Sequence, residues 1–429
     1  MSQPTPQHKS PRSSASPDKK FIERLGVAVD SVLYETVATR EGLQFATSDG
    51  RMTPQVEELG RIIRPPLGLQ VFADANCLAL PSEAARGASA ETLSDEIKAI
   101  ILRYADVPEG WLEPLVAYVL MTWVYDRFSS LPYLRFLGEP GTGKTRLLEI
   151  MAALGFRSLK VSGNITGAGL FRTIDLVRGT LAVDEADYRN SQEWSEIIKV
   201  FNNGYRDGIP VIRCGESTGQ RRYNPEPFVV YGPKIISTRR RFVDTATESR
   251  CLTFETAERV LAPGIPTHLP PEFWQEARTL RNRLLGWRFD HFHRIRPDDL
   301  RLRHLPPRLT EIGSALAAVA PNSDAIIEYL NRYAADVCRG SARGILQAIL
   351  AETKTWPVLL ETLRVQLNEA LEAAGQEPMG SRAVGPIVRA LGYQTARRNS
   401  GTVVLEKPKQ PGERQGERVN VGPGCRVSL

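Results

Sequence analysis

Residues 131–145 read LPYLRFLGEPGTGKT, and the reading of the whole chain starts from them. Tyr133–Leu137 is a short apolar run of strand length, Gly138–Gly143 is a glycine-rich turn, and Lys144 and Thr145 open a helix expected to reach Leu154. Gly138, Gly143, Lys144 and Thr145 fill the pattern G-x-x-x-x-G-K-[ST] between a strand and a helix, the context this pattern requires. Glycine lets the backbone curl until successive N–H groups point inward at phosphate oxygens. The helix N-terminus adds its partial positive charge. On this reading the loop Gly138, Glu139, Pro140, Gly141, Thr142, Gly143 cradles a nucleotide. Lys144 reaches its β- and γ-phosphates, and the Thr145 hydroxyl holds Mg²⁺.

A second anchor lies 40 residues beyond Lys144, in Gly179–Asp187, GTLAVDEAD. The apolar strand Leu181–Val183 ends in Asp184-Glu185. A strand buried on both faces is continuously apolar, and ligands sit at the C-terminal edge of an open α/β sheet. Asp184 is placed to hold the magnesium, and Glu185 to orient and deprotonate the attacking water. A third strand, Lys234–Thr238, KIIST, ends in Ser237 and Thr238. Either hydroxyl is a candidate to sense the γ-phosphate, with Thr238 counted among the catalytic residues. Arg250 precedes a further apolar strand, Cys251–Phe254. Its planar, permanent charge suits a finger completing a neighbouring subunit's site from the domain rim.

Around this core the chain divides by composition. Residues 1–19 are rich in Ser, Pro, Gln and Lys and are expected to be disordered. Residues 20–90 read as a small β-containing domain, with strands at Val32–Thr39 and Gly42–Thr47 and two more within Gly68–Leu80. Gly87–Leu93 reads as a linker within an ATPase core of residues 91–258, whose leading helices are Ser94–Tyr104 and Trp111–Phe128. Ile209–Cys214 and Gln220–Asn224 read as a hairpin carrying Arg213, Arg221 and Arg222. Residues 259–339 are helical, and residues 406–429 form a second disordered tail. Residues 340–405 hold three short helices, Ser341–Ala351, Glu361–Ala374 and Ser381–Leu391, and a hairpin tipped by Arg397 and Arg398. That pattern matches a winged helix-turn-helix in which Ser381–Leu391 offers Arg382 and Arg389 to DNA.

The totals fit this picture. A chain of 429 residues, 42% hydrophobic and 24% charged, is that of a soluble protein of two or three domains. A net charge of +6 is modest, but the arginines are bunched, which suits a polyanion partner. Five scattered cysteines without a C-x-x-C argue for reduced thiols and a cytoplasmic location. The most apolar run, Leu115–Tyr125, is well short of the roughly 20 residues a membrane span needs. His291 and His293, two apart, fall on different faces of a helix and read as packing or surface residues.

The series Gly138–Thr145, Asp184-Glu185, Ser237-Thr238 and Arg250 resembles an AAA+-type P-loop ATPase. More closely, Leu131–Leu134, Leu170–Arg172 and Glu248–Cys251 are similar to segments of the ATPase domains in phage- and plasmid-borne primase–helicase proteins. Where that family has a sensor Asn, this chain has Ser237-Thr238, and residues 20–90 show no primase-like acid cluster. The resemblance implies an α/β parallel sheet flanked by helices, ATP and Mg²⁺ as cofactors, DNA as partner, and a homo-oligomeric ring, a hexamer in that family. It also implies a possible primase or replication partner and no membrane. The expected function is DNA-dependent ATP hydrolysis by a helicase or translocase of a mobile element. The alternative is an ATP-gated, site-specific replication initiator or regulator that does not unwind.

Overall fold

Five parallel strands carry the phosphate loop. In the computed structural model they lie in the order Cys251–Glu255, Tyr133–Leu137, Lys234–Thr238, Leu181–Asp184, Ser158–Ser162. A sixth, Leu78–Ala79, closes the sheet antiparallel to Ser158–Leu159. The structure describes residues 21–162, 165–186, 192–215, 224–258, 262–297, 300–374, 376, 378–399 and 401–405. Every residue of Tyr133–Leu137 and of Lys234–Thr238 is buried, as strands covered on both faces must be. The sheet is mostly parallel and lies between helices, with the strand Lys234–Thr238 inserted between the phosphate-loop strand and the acid-bearing one.

Aromatic side chains with one polar atom bolt the helices to this sheet. The helix Glu109–Thr122 is buried continuously from Pro114 to its end, and its Tyr118 hydroxyl donates to Lys234 O at 2.7 Å. Trp123 Nε1 donates to Leu154 O at the end of the phosphate-loop helix Lys144–Leu154 (2.9 Å). The helices Pro271–His291, Pro307–Val319 and Ser323–Gly340 contribute buried residues to the same core as the sheet. The described residues of 259–339 thus share the core of the main sheet and form no separate one. Residues 342–404 do form a separate core, from the helices Ala342–Glu352, Leu360–Ala373 and Ser381–Ala390. A three-stranded antiparallel sheet, Val358–Leu359, Gly401–Val404 and Thr395–Arg398, lies beside them.

The N-terminal part differs most from expectation. Val32–Thr39 and Gly42–Thr47 pair as read, within a four-stranded sheet, and a second sheet joins Phe21–Glu23, Arg61–Arg64 and Val56–Glu58. The stretch Gly68–Leu80 does not hold two strands. It is a short helix, Gln70–Asp74, turned at Asn76 (φ +54°) into the single strand Leu78–Ala79, which belongs to the main sheet. Nor is Gly87–Leu93 a linker throughout: Ser89 caps the helix Ala90–Tyr104 by accepting from Thr92 N at 3.2 Å. In the hairpin Val211–Gly215 pairs with Asn224–Phe228, and residues 220–223 of the expected second strand lie outside the described residues.

Lys234, fully buried at the start of its strand, sets a pH dependence. Its ammonium donates to Gly204 O, Val230 O and Gly232 O at 3.0–3.1 Å and sits 4.8 Å from the Tyr133 ring centre. Burial pushes it down to about 7 from the usual 10.5. The unfolded chain therefore binds more protons between these values, so stability rises with pH across that window. A Lys234→Met chain is expected to lack this rise. Denaturant midpoints for both chains at pH 7 and pH 9 check it, and equal slopes with pH would exclude the mechanism.

Candidate nucleotide site

Register places the ends of five strands at one edge. Leu137 pairs with both Thr238 and Glu255, and Asp184 pairs with Ser162. The loop that follows Leu137 turns on Gly141 (φ +82°) and Gly143 (φ +87°), both in the region that favours glycine. Gly138 is needed for a different reason: a Cβ there would meet Thr256 O at 2.4 Å. Thr256, with no motif to mark it in the sequence, closes the loop's flank. Its N–H donates to Leu137 O at 2.7 Å, and its hydroxyl lies 2.7 Å from Thr142 Oγ1. The helix Lys144–Leu154 has no side-chain cap and no acid in its first turn, so its leading N–H groups remain to serve an anion. The Lys144 ammonium donates to Glu139 O within the loop at 2.6 Å.

The two acids meet this loop. Thr145 Oγ1 donates to Asp184 Oδ1 at 3.3 Å, so the two oxygens expected to share a magnesium ion are neighbours. Asp184 Oδ1 also accepts from the Ser237 hydroxyl and from Glu185 N (3.1 Å). Glu185 N lies 3.0 Å from Ser237 Oγ as well. Glu185 itself has φ +54°, a conformation that an L-residue keeps only where its surroundings impose it, and such positions gather at functional sites. Its side chain is 72% exposed, with Arg239 Nη2 3.4 Å from Oε1.

Of the two candidate hydroxyls it is Ser237 that faces the acids. Residues of a strand alternate between faces, so Thr238 points the other way. Thr238 is buried, and among the described residues its hydroxyl has no hydrogen-bond partner; its carbonyl accepts from Gly138 N at 3.2 Å. This corrects the choice of Thr238 as the sensing residue. Arg250 requires a second correction. It is 8% exposed, donates to Asn202 Oδ1 at 2.8 Å and stacks 4.2 Å from the Tyr205 ring centre. It precedes Cys251, which pairs with Tyr133 at the start of the phosphate-loop strand, so it sits at the sheet edge opposite the phosphate loop. Its guanidinium is thus partnered inside its own chain, where the sequence reading expects an exposed rim residue.

The adjoining Glu248 has a structural role. It receives both terminal nitrogens of Arg135, a fully buried residue of the phosphate-loop strand, at 2.5 Å, and Arg241 Nη1 at 3.0 Å. Burial pushes its carboxyl up, but the hydrogen bonds and charge of Arg135 outweigh this and hold it below the usual range.

The candidate DNA contacts are dispersed. Arg213 is half-buried, 3.3 Å from Glu196 and 5.1 Å from the Phe171 ring centre. Arg221 and Arg222 lie outside the described residues. Arg382, Arg389, Arg397 and Arg398 are all exposed on the C-terminal unit. His291 stacks on Trp287, while His293 Nε2 lies 3.3 Å from Ser31 O. No helix among the described residues is long and apolar enough to cross a membrane.

No protein-family model matches this chain, nor does any curated protein. Among solved structures it is similar to the helicase entitled SCCmec type IV Cch, at 11% identity over 92% of this chain and 80% of that one, with a TM-score of 0.41. It is also similar to the C-terminal region of NrS-1, at 13% identity over 82% of each chain, with a TM-score of 0.34. The RuvB Holliday junction branch migration motor of Thermotoga maritima aligns at 15% identity over 68% of this chain and 90% of that one, with a TM-score of 0.22.

Proposed function

We propose that this chain is a Mg²⁺-dependent ATPase whose turnover is coupled to DNA, acting as a ring-forming helicase or translocase in the replication of a mobile genetic element. The observation that carries the reading is the 3.3 Å approach of the Thr145 hydroxyl to the Asp184 carboxylate beside a loop built on positive-φ glycines. Oxygen donors of this kind, a hydroxyl and a carboxylate, fit magnesium, and Thr145 and Asp184 would hold it. When bound, the ion would neutralise charge on the phosphates. The loop N–H groups and Lys144 bind and orient the triphosphate. Ser237 fixes the Asp184 carboxylate through its hydroxyl. Glu185 orients the attacking water and takes its proton, and Arg239 steadies that carboxylate.

DNA coupling is assigned to Arg213, Arg221 and Arg222 of the hairpin, tracking phosphates in a ring's pore, and to the exposed arginines of the C-terminal unit. ATP turnover measured with no DNA, with single strands and with forks tests the reading. Both DNA forms are expected to raise turnover, and Arg222→Ala is expected to spare basal hydrolysis and lose the stimulation. Turnover indifferent to every DNA form would sink the coupling. The separate core of residues 342–404, with four exposed arginines, keeps a second reading in view. A footprint at one sequence with no strand displacement on forks would mark an ATP-gated initiator instead.

A further inference from the structure

Far from the phosphate loop, a cavity of about 430 Å³ opens between the strand Val32–Thr39, the helix Gln70–Asp74, the edge strand Leu78–Ala79 and the helix Pro271–His291. That volume is within the range of small-ligand pockets. We propose that it binds a small phosphomonoester bearing sugar hydroxyls, a nucleoside monophosphate or a sugar phosphate, with Arg281, Arg278 and Arg40 on the phosphate.

The argument rests on Arg281. It is 4% exposed, yet its two hydrogen bonds go to neutral carbonyls, Nε to Leu80 O at 3.1 Å and Nη1 to Ala153 O at 2.6 Å. Among the described residues it forms no ion pair. The chain treats its other deeply buried arginines differently. Arg135 faces Glu248, Arg157 faces Glu35, and Arg288 faces Glu35 and Asp126. Arg250 has the charge of Asp244 within reach. A guanidinium taken out of water without a counter-charge is costly, and an anion removes the cost. Burial, followed by the charge of Arg278, pushes Arg281 down to about 9, so a second cation makes the deficit worse. Arg278 and Arg40 are exposed, line the same cavity, and have no hydrogen-bond or ion-pair partner among the described residues.

The cavity is not purely basic, and that selects the ligand. Asp74 and Glu83 also line it, the first accepting from Gln70 Nε2 at 2.7 Å and the second from Asn282 Nδ2 at 3.4 Å. Three guanidinium groups against two carboxylates leave one excess positive charge. The carboxylates retain lone pairs that sugar hydroxyls can fill, whereas a bare anion would meet only repulsion from them. Arg281 reaches Ala153 at the far end of the phosphate-loop helix, whose 11 residues span about 16 Å, so the two sites are separable.

The test uses the full chain carrying Lys144→Ala, titrated calorimetrically with AMP, ribose 5-phosphate, inorganic phosphate and adenosine. AMP or ribose 5-phosphate is expected to saturate one site, at least about tenfold tighter than phosphate or adenosine. Adding Arg278→Glu or Arg40→Glu is expected to weaken that binding about tenfold or more, and Arg281→Met to abolish it. Because Arg281→Met also removes two internal hydrogen bonds and can disturb folding, the exposed Arg278 and Arg40 variants decide. Failure of both phosphate esters to bind overturns the proposal. So does binding that ignores Arg278→Glu and Arg40→Glu, and so does inorganic phosphate binding as tightly as AMP. None of these results depends on the chain hydrolysing ATP.

Discussion

Lys144→Ala is expected to lower ATP turnover by about 10²–10³-fold, the scale on which losing one preorganised positive group at a phosphoryl centre is felt. The Lys144 ammonium now donates to Glu139 O, one residue into the loop it must serve. A triphosphate exchanges that neutral acceptor for charged oxygens, and the gain is larger where negative charge spreads over the γ-phosphate oxygens. Alanine removes both interactions, so affinity for ATP falls together with turnover. Glu185→Gln separates the two effects. Its exposed carboxylate holds no part of the loop, so nucleotide affinity is expected to stay within about threefold while turnover falls by about 10²-fold or more. Fluorescent-nucleotide titration and phosphate-release kinetics on the three chains check the pair. A Lys144→Ala chain that hydrolyses ATP at the parental rate would remove the loop from the chemistry.

The site could be read before the fold because its signals are local. Gly138, Gly143, Lys144 and Thr145 have their spacing fixed by one turn, and Asp184-Glu185 end a strand whose apolar run is continuous. What escaped was set by alternation and by distant pairing. Ser237 and Thr238 are equivalent as adjacent hydroxyls, and only register with Val183 and Leu137 decides which one faces Asp184. Thr256 matters because the edge strand brings it against Gly138, 118 positions away, and no pattern announces that contact. Arg250 looked like a rim residue because charge usually implies exposure. Its hydrogen bond to Asn202 and its stacking on Tyr205 come from elements that are remote in the chain. The short helix Gln70–Asp74 carries no periodicity long enough to separate it from a strand.

Replacing Glu35 by alanine is expected to destabilise the whole molecule by about 3–5 kcal/mol, the usual cost of leaving a buried charge unpaired. Glu35 lies in the strand Val32–Thr39 and is 3% exposed. Its carboxylate pairs with Arg157 and accepts from Arg288 Nε at 2.9 Å. Arg288 keeps Asp126, at 2.7 and 2.8 Å, when Glu35 is lost. Burial alone would push Arg288 down; Asp126 and Glu35 together raise it. Arg157 keeps only a 3.4 Å bond to Arg178 O and so carries most of the penalty. This ion network joins a strand of the N-terminal sheet to the body around the main sheet and to the helix Pro271–His291, across the boundary at residue 90 that composition suggests. A melting curve that stays single and shifts down by about 5 °C is therefore expected, with Glu41→Ala on the neighbouring exposed turn as an unaffected control. The double variant Glu35→Met with Arg157→Met is expected to recover part of the loss, since removing both charges also removes their desolvation. A separate low-temperature transition in Glu35→Ala, with the main one unmoved, would show instead that residues 21–80 fold as an appendage, and the network would then be a contact between independent units.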